Sequence, residues 1–172
     1  MKITEPKFEF VRGTYNFNLI DDWCYTYHGY NVIVPRGFIT DLASIPRFLW
    51  PIISPNGPLR YGAIGHDLFY QYGFLLARFN PAQIYPERSM LLRQRYKEKF
   101  GPYVPVFVGE NQKFGDVMFK EVNRSASVNT LNIVQNNAAY LALRCFGFKA
   151  WNQYRKYGST AYNTNSLNLP SI

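Results

Sequence analysis

The chain has 172 residues, 47% apolar and 18% aromatic, with a formal net charge of +8. This suits one domain with a real hydrophobic core, and no run reaches the roughly 20 apolar residues that a membrane-spanning helix needs. The N-terminal "MKITEPKFEF" lacks the apolar centre of a signal peptide, and Cys24 and Cys145 fit no metal or disulfide spacing, so synthesis in the cytosol with free thiols is expected. Fourteen Tyr beside fourteen Phe suggest many half-wet contact surfaces, since tyrosine buries a ring and keeps a polar tip. The charge is uneven: seven Lys+Arg face six Asp+Glu in residues 1–80, and twelve face five in residues 81–172. A basic half of this kind meets nucleic acid, an anionic surface or an acidic partner, or is simply a solvated face.

Taken in chain order, the first 40 residues predict β-structure. "KFEFVRGTYNFNLI" alternates apolar and polar residues around an "RG" break. "DWCYTYHGYNVIVP" predicts a hairpin with "HG" at its turn, ended by Pro35, which cannot donate to a ladder. "RGFIT" predicts a further short strand. Ser44 is a good N-cap and Pro46 suits a first helical turn, so "IPRFLWPII" predicts a short helix. "LRYGAIGHDLFYQYGFLL" predicts a helix with Ile64, Leu68, Phe69 and Tyr72 on one face. Gly62 and Gly65 weaken it and permit close backbone approach. "NPAQIYPERS" reads as loop, and "ERSMLLRQRYKEKFG" as a basic amphipathic helix ending at Gly101. "PYVPVFVGENQK" reads as irregular or a short strand. "FGDVMFKEVNRSAS" and "VNTLNIVQNNAAYLALRCFG" predict two helices, with "FKAWNQYRKYG" as a last short one and Cys145 in the core. The expected fold is α+β: an N-terminal antiparallel β-sheet packed on a C-terminal helical bundle. The domain is expected over residues 1–157, with residues 158–172 a polar tail outside the core.

Four polar residues stand in apolar surroundings: Asp41, His66, Asp67 and Asp116. Carboxylates with one imidazole suit a divalent metal, which would lower the pKa of bound water and supply a nucleophile. On that reading all four are catalytic, and Asp41, His66 and Asp116 are the metal ligands. The opposing reading is architectural. Asp41 then caps the helix near Ser44, and His66 is a buried histidine bonded to Asp41 or Asp116. His66 and Asp67 are neighbours, and their side chains diverge by about 100° on a helix. Both readings expect Asp41, His66 and Asp116 to lie close together. Arg88, Arg93, Arg95, Lys97 and Lys99 are candidate partner-binding residues, for a protein surface, an anionic substrate or nucleic acid.

"VPRGFITDLASIPRFLWPII", "GHDLFY", "FGDVMFKEV" and "FGFKAWNQYRK" together resemble a domain family of unknown function common in phages and prophages. Its pattern is V-P-x-G-F-x-T-D-x-A-S-I-P-R, then H-D-x-x-Y on a helix, then an aspartate on a later helix. The resemblance covers about residues 31–75 and 113–156. Against that pattern, residues 73–112 read as an insertion that carries much of the basic charge. The resemblance implies a bacteriophage protein made in the host cytoplasm. It leaves two functions open. One is a virion-associated or assembly component of the tail, baseplate or neck, bound to other phage structural proteins and oligomeric in its assembly. The other is a small metal-dependent hydrolase acting on the host envelope or a phosphodiester.

Overall fold

The computed structural model describes residues 3–14, 16–42, 57, 59–126, 130–158, 167, 169 and 170. Its strands are β1 (Phe8–Phe10), β2 (Phe17–Leu19), β3 (Trp23–Tyr27), β4 (Tyr30–Val34), β5 (Ile39–Thr40), β6 (Leu75–Arg78) and β7 (Tyr103–Val106). Its helices are α1 (Arg60–Tyr72), α2 (Glu87–Arg95), α3 (Lys97–Phe100), α4 (Gln112–Ala126) and α5 (Thr130–Tyr157). The result is an α+β fold with antiparallel sheet at the N-terminal side and α1, α4 and α5 packed together behind it. The predicted short helix after Ser44 falls outside the described residues.

Two sheets form where one is expected. The three-stranded sheet has the order β1-β2-β5, and the four-stranded sheet the order β3-β4-β6-β7, with every pairing antiparallel. The "HG" turn joins β3 to β4, with His28 at φ 45° and Gly29 at φ 81°. That left-handed pair matches the twist of a tight hairpin. Val32, Ile33 and Val34 are buried in succession, as are Leu75, Leu76 and Ala77. Such runs mark inner strands covered on both faces. Pro105 lies in β7 at the edge of the sheet, where a missing donor is tolerated.

The segment 73–112 is therefore woven into the domain, because β6 sits between β4 and β7. The long helix expected up to Leu76 stops at Tyr72. Gly73 adopts the left-handed conformation at φ 81° and donates its N–H to the Phe69 carbonyl, a C-cap that releases the chain into β6. The single basic helix expected to Gly101 is broken at Tyr96, whose backbone leaves the helical region, and becomes α2 and α3. At the C-terminal end the two predicted helices beyond Val128 are one 28-residue helix, α5.

Helix α1 is the hub, buried from Gly62 to Tyr72 on every face rather than on one stripe. Close approach explains its glycines. A Cβ on Gly62 would lie 2.3 Å from the Phe119 carbonyl oxygen of α4, and one on Gly65 would lie 2.5 Å from the Tyr25 hydroxyl. Amides lace the three helices together: Gly62 N–H donates to Asn123 Oδ1 at 2.7 Å, and Asn136 Nδ2 donates to the Lys120 carbonyl at 2.8 Å. The sheet is pinned to α4 by Tyr25, whose hydroxyl meets Met118 Sδ at 3.4 Å, and by Tyr27, which donates to Glu121 at 2.8 Å. Two sequence expectations are corrected. Cys145 is exposed, not core. Leu167 and Leu169 of the polar tail pack against the main core, and the Tyr72 hydroxyl donates to the Leu167 carbonyl at 3.0 Å.

Candidate functional site

The polar cluster is assembled by α1, α4, α5 and β5. One helical turn of α1 supplies His66, Asp67 and Tyr70, since positions four apart share a face. Helix α4 supplies Asp116 and, one turn earlier, Gln112; α5 supplies Arg144. Strand β5 supplies Thr40, whose side chain points inward while Ile39 and Asp41 take the opposite side of the strand.

His66 lies between two carboxylates. Its Nε2–H donates to Asp116 Oδ1 at 3.1 Å, and its Nδ1 stands 3.6 Å from Asp67 Oδ1. Asp116 takes three further donors: the Tyr70 hydroxyl at 2.6 Å, Arg144 Nη1 at 2.7 Å and Gln112 Nε2 at 3.3 Å. Asp67 accepts a hydrogen bond from the Thr40 hydroxyl, and Thr40 Oγ1 accepts the Leu42 N–H at 3.0 Å. Leu42 has φ 55°, a strained value for a leucine that this bond helps to hold. Thr40 and Asp116 are fully buried and His66 and Asp67 nearly so.

Burial alone would push the His66 pKa down, but hydrogen bonding to Asp116 and Asp67 and their negative charge carry it above its ordinary value. Burial would raise the Asp116 carboxyl, but His66, Tyr70 and Arg144 hold it below the usual carboxylate range. Desolvation and the neighbouring Asp116 push the Tyr70 hydroxyl well up, so it stays a donor. The His66 ring thus stands between Asp116 and Asp67, and Asp116 also pairs with the Arg144 guanidinium. Left unpaired, the fully buried Asp116 charge would be costly.

The structure brings together His66, Asp67 and Asp116. Asp41 lies one residue beyond Thr40 and is exposed, so the inward position of the T-D pair belongs to the threonine. Adjacent residues His66 and Asp67 do come within ion-pair reach, at 3.6 Å. Among the described residues, no group of three or more His, Cys, Asp and Glu side chains is arranged to hold a metal ion. Tyr70, Gln112, Arg144 and Thr40 escape the sequence reading. Tyr70 and Gln112 had a signal, each four residues from a cluster member; Arg144, far along α5, had none.

The basic residues divide. Arg93 is engaged by the fold: its Nε donates to the Tyr103 carbonyl at 3.1 Å, and its guanidinium stacks 4.1 Å over Phe79. Arg88, Arg95, Lys97 and Lys99 are exposed. Leu92 and Tyr96 dock on the core, while Met90 and Leu91 stay out of it.

The family model for a protein of unknown function, DUF1353, matches residues 17–142. The chain belongs to this family. No curated protein and no solved structure matches it. The matched span contains Thr40, His66, Asp67, Tyr70, Gln112 and Asp116, and stops two residues before Arg144.

Proposed function

We propose that the protein is a bacteriophage virion or assembly component of the tail, baseplate or neck, in which the buried Asp–His cluster is architectural. It is made in the host cytoplasm and carried into the particle by contacts with other phage structural proteins. The supporting observation is the closed accounting of the cluster. Both Asp116 oxygens are occupied by donors from three helices, and Thr40 carries the chain on to β5. A catalytic carboxylate needs a free lone pair or an exchangeable proton within reach of substrate. Here Asp116 holds neither: both of its oxygens are taken by donors, and His66, Tyr70 and Arg144 hold its carboxyl below the usual range. The phage setting rests on the sequence resemblance.

The test pairs two measurements. Purified particles are probed for the protein by mass spectrometry, and the purified protein is assayed on phosphodiester and peptidoglycan substrates with divalent metals added. Presence in particles without hydrolysis is expected. Hydrolysis by the wild type that Asp67→Ala abolishes in a still-folded protein would overturn the proposal in favour of the metal-dependent hydrolase.

A further inference from the structure

An open groove of about 840 Å³ runs between α2, the loop after β7 and the end of α5. Its walls carry Leu91, Leu92, Val108 and Trp151, and its rim carries Arg88 and Arg95, with Arg155 beside Trp151. Gly109 leaves the space that Arg88 uses: a Cβ there would lie 2.1 Å from the Arg88 guanidinium, and φ is 85°. Arg155 is fixed, donating to the Tyr70 carbonyl at 2.6 Å with its guanidinium 4.5 Å over Trp151. Leu91 is 58% exposed on this wall. A second hollow, of about 340 Å³, continues along α3 and shares Gln94 and Arg95 with the first. Lys97 and Lys99 line it, with Glu98 between them.

We propose that this surface docks an acidic, aliphatic segment of a partner protein. Three features select that occupant. The aliphatic walls need apolar side chains to cover them. Among the described residues, three arginines at the groove against one carboxylate, Glu110, call for negative charge. The continuation into a lysine-lined hollow calls for an elongated ligand, which a compact anion is not. A nucleic acid would satisfy the charge but leave Leu91, Leu92 and Val108 against phosphate and sugar, with Trp151 and, in the second hollow, Tyr96 as the aromatics among the described lining residues for a base to stack on. The docking role rests on the assembly reading for its biological setting and names the surface that reading needs.

The probe is a fluorescent peptide of alternating Leu and Glu blocks, titrated into the full-length protein. Lys-for-Glu and oligothymidine probes serve as comparisons. Binding of the Leu/Glu peptide with a change in Trp151 emission is expected, weakening with added salt. Leu91→Glu and Arg95→Glu each reduce it about tenfold or more, while thermal melting of these exposed-site variants stays that of the wild type. No binding of the Leu/Glu peptide, equal binding of the Lys version, stronger binding of oligothymidine, or binding that ignores both substitutions would overturn the proposal. Such a failure leaves the particle and hydrolysis results untouched, so the two readings fall separately.

Discussion

His66 faces a carboxylate from each ring nitrogen, and that arrangement predicts how stability follows pH. Its pKa is raised above the ordinary 6.5 in the folded protein. The imidazolium therefore contributes its full stabilisation below that value and loses it as pH rises through the folded pKa. Asp116, lowered from 3.8, works at the other end: its contribution is complete above that value and disappears as pH falls through the folded pKa. Asp67 joins Asp116 in raising the His66 pKa, and Tyr70 and Arg144 join His66 in lowering that of Asp116. Urea unfolding between neutral and alkaline pH should show wild-type stability falling as pH rises, and His66→Gln should flatten that slope. An unchanged slope in the variant would remove the imidazolium from the account. The residues of this cluster were half legible in the sequence. Strand alternation already separates Thr40 from Asp41, yet an aspartate draws the eye as chemistry and a threonine does not. The pairing of His66 with Asp116, 50 positions apart, is set by helix packing that no local spacing encodes.

The elements meet closely because glycines replace side chains where helices cross. Gly62 is the tightest case, with the Phe119 carbonyl and the Asn123 side chain where its Cβ would be. Gly62→Ala should force α1 from α4 and break the Asn123 bond, lowering unfolding free energy by about 2–4 kcal/mol. Chemical denaturation measures it, and a loss under about 0.5 kcal/mol, the level of a neutral surface change, would show that the crossing yields easily. Gly147 has the same role inside α5: a Cβ there would meet the Tyr70 hydroxyl at 2.7 Å. This explains why α5 runs through a glycine that reads as a helix end. The β3–β4 hairpin was legible because its turn chemistry is local. Strand β6 was not, because Leu75, Leu76 and Ala77 extend an apolar helix in composition, and only the capping glycine at 73 marks the change.

At the scale of the molecule, the cluster joins one sheet to three helices, and Leu167 and Leu169 pack on the main core. The polar composition of residues 158–172 points away from the core, but two leucines suffice to anchor it: Leu167 and Leu169 pack inward and Tyr72 bonds the Leu167 backbone. Ending the chain after Gly158 should cost about 2 kcal/mol of stability in the isolated protein. A truncated chain that melts at the wild-type temperature would place the tail outside the fold after all.

On the proposed architectural reading, the buried cluster holds the fold together and does not turn over a substrate. Replacing a catalytic group commonly leaves a protein equally or more stable, because active sites store strain and unpaired charge. Replacing a member of a satisfied buried ion network leaves the others unpaired and costs about 3–5 kcal/mol. Equilibrium urea unfolding of Asp116→Asn, which keeps the shape and removes the charge, separates the two most directly. A loss of about 3 kcal/mol or more is expected near neutral pH. An Asp116→Asn protein as stable as the wild type, or more so, would contradict it.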